Sequence, residues 1–218
     1  MLKNKLFLLL ILTFTALPQL KAQNFEGSLL LGVSGAQVRG DNMAGFDKAT
    51  LMGGVGIAYK TGEDWWISGE FTFNRKGSAS TFDEETQTYP GRWQDLRLSY
   101  IEIPLFFNYE FMDKLSIHAG FGVGILVGSS ILQHGGQGST EDWMDADEFF
   151  GTMDFTAQGG LQYRFTENIA IFSRVSHSFV NIGTGQAESV LSAPPGATVR
   201  AGMLNFLTTF GARYYFNQ

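Results

Sequence analysis

Ser99-Tyr100-Ile101-Glu102-Ile103-Pro104-Leu105-Phe106-Phe107-Asn108-Tyr109-Glu110-Phe111 decides the fold. From Ile101 the odd positions read Ile, Ile, Leu, Phe, Tyr, Phe. The even positions read Glu102, Pro104, Phe106, Asn108 and Glu110. A period of two belongs to a β-strand with one apolar face and one mostly polar face. Two carboxylates opposite the apolar side suit neither a soluble sandwich nor its dry core. They suit a barrel that turns apolar residues to lipid and carries a polar interior. Pro104 has no N–H to give to a ladder, so a bulge is expected there.

The same alternation recurs on both sides of this stretch. Upstream, Phe25 to Gln37 sets Phe25, Leu29, Leu31 and Val33 against Glu26, Ser28 and Ser34, and Leu51 to Tyr59 follows it. Next, Trp65, Ile67, Gly69, Phe71 and Phe73 oppose Ser68, Glu70, Thr72 and Asn74. Downstream, Leu115 to Val127 faces Ser116, His118, Gly120, Gly122 and Gly124. Three more runs follow: Met153 to Phe165, Ile169 to about Val180, and Leu204 to Phe216. Eight strands result. Their connections alternate between long and short, with polar stretches at 39–48, 76–95, 134–150 and 183–202 and tight turns at Thr61-Gly62-Glu63-Asp64, Met112-Asp113-Lys114 and Thr166-Glu167-Asn168.

That pattern describes an all-β, eight-stranded antiparallel up-and-down transmembrane barrel. Outer-membrane barrels have even strand counts, short periplasmic turns and longer extracellular loops. Tyr59, Trp65, Tyr109, Phe111, Tyr163, Phe165, Tyr214 and Phe216 fall at the turn-side ends of their strands, where a periplasmic aromatic girdle belongs. A lipocalin-type barrel would reverse the polarity of every strand.

Composition agrees. The basic start Met1-Leu2-Lys3-Asn4-Lys5, the apolar run from Leu6 to Leu17 and the small residue Ala22 read as a secretory signal peptide. The run is shorter than the roughly 20 residues of a membrane-spanning helix. The expected organisation is therefore a signal peptide over 1–22 and one outer-membrane barrel domain over 23–218. Cutting after Ala22 removes Lys3, Lys5 and Lys21 and no acid, which takes the formal charge from −6 to −9. An acidic chain argues against nucleic acid as a partner. The sequence has no cysteine, which removes disulfides, thiolate catalysis and a lipoprotein anchor.

At this point the residues resemble a family. Tyr100-Ile101-Glu102-Ile103-Pro104-Leu105, the preceding Glu70-Phe71-Thr72-Phe73-Asn74-Arg75-Lys76-Gly77 and the later Phe179-Val180-Asn181-Ile182 are similar to elements of the bacterial outer-membrane β-barrel family that includes PorT-like proteins. The resemblance covers essentially the whole chain after the signal and implies a barrel of the size of OmpA and OmpX. It implies export to the Gram-negative outer membrane, insertion by the barrel-assembly machinery and lipid as the surrounding partner. It implies no activity.

Several residues could carry chemistry. An eight-stranded barrel is only wide enough inside for side chains to fill it, which argues against a diffusion porin. Glu26, Lys60, Glu70, Glu102, Glu110, Arg164, Arg174 and Arg213 are therefore read as an ion-paired structural network in the lumen, not as an ion path. His118 lies near Ser116 on the lumen face, and His177 sits among Ser173, Ser176 and Ser178. A wall-mounted acyl hydrolase acting on lipid A or phospholipid needs nucleophile and base within about 3 Å. Strand rise separates Ser173 from His177 by roughly 13 Å. Glu141, Asp142, Trp143, Asp145, Asp147 and Glu148 form an acidic stretch read as a candidate surface-binding loop, without the glycine or spacing of an EF-hand. Phe82, Tyr89, Trp93 and Trp143 are loop aromatics suited to a partner or lipid head groups. Gly120, Gly122 and Gly124 alternate within a strand and leave room for larger lumen neighbours; they are no phosphate loop.

The reading is a non-enzymatic, monomeric outer-membrane protein without cofactor or metal. It acts at the cell surface or as an accessory through its loops, with a protein partner there. A place in a secretion or assembly complex is the alternative within the same fold.

Overall fold

The computed structural model describes residues 24–41, 45–79, 93–133, 143–184 and 202–216. The expected signal peptide lies outside the described residues. The barrel strands are β1 (Phe25–Arg39), β2 (Lys48–Lys60), β3 (Trp65–Ala79), β4 (Trp93–Met112), β5 (Leu115–Gln133), β7 (Met153–Arg164), β8 (Ile169–Ser178) and β9 (Leu204–Tyr215). A short strand, β6 (Trp143–Asp145), and a 3₁₀ turn over Asp147–Phe149 lie between β5 and β7. Every neighbouring pair is antiparallel, and β1 pairs with β9, so the sheet closes on itself. The architecture is the closed eight-stranded barrel that the alternation predicts.

Side-chain exposure follows parity. On β4, Ile103, Leu105 and Phe107 are exposed while Glu102, Phe106 and Asn108 are buried. The same contrast holds on β3 for Phe71 and Phe73 against Glu70, Thr72 and Asn74. At the turn end, Trp65 stacks on Tyr109 at 4.2 Å, and Tyr163–Phe165 and Tyr214–Phe216 form edge contacts on the outer rim.

The bulge expected at Pro104 is not there. The β3–β4 register is identical on both sides of Pro104, from Gly69↔Leu105 to Thr72↔Glu102. The missing N–H leaves a gap in the ladder but inserts no residue. Of the three register shifts between β4 and β5, the one nearest Pro104 falls on β5, where Ser99 and Tyr100 pair with Gly128 and Leu126 and Val127 is extra. Gly120 explains the undisturbed path of β4: a Cβ there would run into the Leu105 carbonyl oxygen.

The strands also extend further than the alternation suggests. The stretch read as a connection from Lys76 to Asp95 contains the last four residues of β3 and the first three of β4. Gly77 makes the extension of β3 feasible. Its φ of 131° and the close Leu96 carbonyl admit no side chain.

Above the level of Tyr100 the polarity of β4 inverts. Leu96, Leu98 and Tyr100 point inward and are fully buried, while Arg97 is exposed. They join Val38, Ile131, Ala146, Phe150, Ile182 and Met203 in an apolar cluster that caps the lumen at the loop end.

Candidate functional site

Below that apolar cap the lumen is filled by ion pairs that reach across the barrel. Glu70 of β3 accepts a two-pronged bond from Arg174 of β8, at 2.8 Å on each oxygen. Its Oε1 also accepts Arg213 of β9 at 2.5 Å. All three side chains are almost fully buried. The Arg174 guanidinium lies 4.3 Å from the centre of the Phe106 ring. Forked guanidinium–carboxylate geometry fixes orientation as well as charge.

A second trio inverts the first. Lys76 of β3 donates to Glu102 of β4 at 2.5 Å and to Asp154 of β7 at 2.8 Å. Lys76 and Asp154 are wholly shielded from solvent, and Glu102 is 2% exposed. Asn74 donates to the free oxygen of Glu102, and Asn205 donates to Asp154 at 2.9 Å. Tyr100 lies beneath the ammonium, 4.8 Å from ring centre to Nζ. One base between two acids stands above one acid between two bases. At the turn end Arg164 forms a two-pronged pair with Glu26, at 2.9 and 3.2 Å, and stacks on Tyr215 at 3.9 Å.

Of the eight lumen candidates, the structure joins Glu70, Arg174 and Arg213 in one group, Glu26 and Arg164 in another, and gives Glu102 to Lys76. Lys60 and Glu110 are corrections. Both belong to the turn-side mouth of the barrel, with Lys60 exposed and Glu110 half-buried and accepting the Lys114 backbone N–H at 3.1 Å. At a strand end both can reach water, so neither needs an ion partner. Lys76 and Asp154 are the residues the sequence reading missed. Lys76 keeps the inward even parity of Glu70, Thr72 and Asn74, a signal hidden because Arg75-Lys76-Gly77 looks like the start of a loop.

The histidines separate. His118 is buried, its ring edge-on to Phe106 at 5.2 Å, and its Nε2 accepts Arg174 Nε at 3.4 Å. His177 faces outward, its ring 5.5 Å from Phe206. Among the described residues neither histidine hydrogen-bonds a serine, and no group of acids and histidines is arranged to hold a metal ion. Glu141, Asp142, Phe82 and Tyr89 lie outside the described residues, as does the side chain of Trp93.

The described part of the acidic stretch is built into the rim. β6 pairs with Ser130 to Leu132 of β5. Asp147 accepts the Ser129 N–H at 3.1 Å and its hydroxyl at 2.7 Å, and Asp145 accepts the Asp147 N–H at 3.0 Å. Trp143 carries the Arg97 guanidinium at 3.7 Å from its ring centre. Gly151 donates to the Ile182 carbonyl at 2.8 Å, and Ile182 donates to the Met203 carbonyl at 2.9 Å, so parts of the two longest connections are stitched together. Glu148 is exposed above them.

A closed antiparallel barrel with an apolar outer wall, a charged interior and long connections at one end defines a small transmembrane β-barrel. The chain belongs to the outer membrane protein beta-barrel domain family, whose model matches residues 21–183. It is a bacterial outer-membrane protein embedded in lipid. Comparison with curated proteins finds no match. Similar solved structures include Ail, the attachment invasion locus protein of Yersinia pestis, solved with the heparin analogue sucrose octasulfate; it is 15% identical over 88% of this chain and 99% of its own, with a TM-score of 0.48. Neisserial surface protein A is 11% identical over 88% of this chain and 97% of its own, also at 0.48. The N-terminal β-barrel domain of Pseudomonas aeruginosa OprF is 12% identical over 87% and 97%, at 0.35.

Proposed function

We propose that this barrel is a non-catalytic surface protein that acts through its loop end. The observation that carries this reading is the filling of the lumen. Two cross-barrel trios and an apolar cap occupy the interior from mid-barrel to the loop end, and the Arg164–Glu26 pair lies toward the turn end. Side chains that pair across the lumen and fill it leave little room for transport. The rim, by contrast, holds a backbone-paired ledge with Trp143 and Glu148 exposed on it. An ordered ledge lowers the ordering entropy of binding a partner. The expected partner is a protein, and lipid surrounds the wall.

The test is photo-cross-linking in intact cells from Glu148, compared with the same probe at Lys114 in a turn at the opposite end. Discrete protein adducts from position 148 and none from 114 support the loop-end role. Adducts at neither position, together with lipid A changes that depend on His118 or His177, would replace it with the acyl hydrolase. Adducts confined to position 114 would indicate a periplasmic assembly role.

A further inference from the structure

On the outer wall, one row above the apolar band, lies a groove of ≈ 290 Å³ lined by Arg75, Arg97, Ser99, Gly128, Ser129 and Ser130. No carboxylate is among the lining residues, although Asp95 bonds Arg97 and Asp147 accepts the Ser129 hydroxyl at its edge. We infer that this groove holds the phosphate of an outer-leaflet membrane lipid, the phosphorylated glycolipid headgroup that faces the cell exterior.

Register builds the site. Arg75 pairs with Ser99 and Ser99 with Gly128; one step higher, Gly77 pairs with Arg97 and Arg97 with Ser130. The bulge at Val127 is what brings Gly128 level with Ser99. Nothing lies within 4 Å of where a Gly128 Cβ would stand, so the floor is open. Arg75, Arg97, Ser99 and Ser130 thus line one space on the outer face.

Arg97 is already oriented. It is stacked on Trp143 and bonded to Asp95 at 3.3 Å while remaining 48% exposed. Lys48 also bonds Asp95, which shares that carboxylate between two bases. Arg75 points outward and has no ion-pair partner among the described residues. Forked donors bind phosphate oxygens in pairs.

Depth selects the lipid over a free anion. Two residues below Arg75 is Phe73, and two below Ser99 is Ile101; Ile125 and Val127 flank them, exposed on the same wall. The groove therefore opens sideways at headgroup level, directly above the surface that acyl chains cover. Arginines at that level are favoured because they reach anionic headgroups while their stems stay apolar.

The experiment uses the full chain extracted from outer membranes, washed in mild detergent, with retained lipid A quantified by mass spectrometry. Wild type is compared with Arg75→Gln/Arg97→Gln and with Lys114→Gln at the opposite end; a heated-against-unheated gel shift verifies each barrel. The double variant should retain at least about ten-fold less phosphorylated lipid A, with Lys114→Gln unchanged. Reconstituted wild type should also prefer vesicles of phosphorylated over dephosphorylated lipid A. Equal retention by the folded double variant, or no preference between the two vesicles, would overturn the proposal. Displacement by inorganic phosphate at low millimolar concentration would overturn the lipid assignment and leave a free-anion site.

Discussion

Leu98 and Leu105 lie on one strand and meet opposite fates: Leu98 is fully buried, while Leu105 is 61% exposed. Below Tyr100, β4 follows the rule of a membrane wall, with Leu105 and Phe107 outside and Glu102 and Asn108 inside. Above Tyr100 it follows the rule of a soluble barrel, with Arg97 outside and Leu96 and Leu98 inside. The backbone continues through the change without altering β4's own parity. What changes is the solvent on each face. Lipid makes an inward charge worth keeping, whereas water beyond the bilayer restores the ordinary hydrophobic core.

The inward charge just at this boundary is the place to test the contrast most severely. Lys76 and Arg75 are neighbours on opposite faces of β3. Lys76→Met leaves Glu102 and Asp154 facing one another with no cation, and should cost about 3–5 kcal/mol. Arg75→Gln, on the outer face, should move stability by no more than about 0.5 kcal/mol. Urea titration of the barrel folded in lipid vesicles reads both values. Similar losses for the two variants would mean that parity does not separate two environments here.

A smaller effect comes from truncating the two leucines. Leu98→Ala removes packing from the capping cluster and leaves a cavity, at about 2–5 kcal/mol. Leu105→Ala creates no cavity, since lipid tails fill the space, so only the transfer part is lost, about 1–2 kcal/mol. The same titration compares them. A larger loss at Leu105 would place the membrane boundary higher on β4 than Tyr100.

The inversion also explains what could be read from the sequence. Within the bilayer each strand repeats one pattern, apolar against polar, and a residue such as Glu70, Arg174 or Arg213 stands out on the polar side. The fold was legible for that reason, as was the membership of those three in the lumen. Asp95-Leu96-Arg97-Leu98-Ser99-Tyr100 is equally regular, but its apolar residues are even-numbered and those from Ile101 onward are odd. Such a change of phase looks like the end of a strand when only one polarity is sought. Lys76 was lost with it, because a lysine beside an arginine and a glycine reads as a turn. Which base meets which acid was not legible at all. Lys76 and Asp154 come from β3 and β7, which are brought together only when the sheet closes.

The smallest effect concerns whether the two trios sense each other. Glu70 with Arg174 and Arg213 sums formally to one positive charge, and Lys76 with Glu102 and Asp154 to one negative charge. Each trio alone is unbalanced; together they are neutral. Arg213→Gln leaves a neutral Glu70–Arg174 pair but gives the lumen a net negative charge. Glu102→Gln leaves a neutral Lys76–Asp154 pair and the opposite imbalance. Each change alone should cost about 1–3 kcal/mol, because a charged hydrogen bond is lost. The double variant restores overall neutrality, so it should be more stable than the sum of the singles predicts, by about 0.5 kcal/mol in a double-mutant cycle. Salt cannot enter the filled lumen to screen this coupling, so it should persist at high ionic strength. A cycle that closes to zero would show two independent plugs. A coupling of the opposite sign would mean that each trio is stabilised by its own geometry even at the expense of the other.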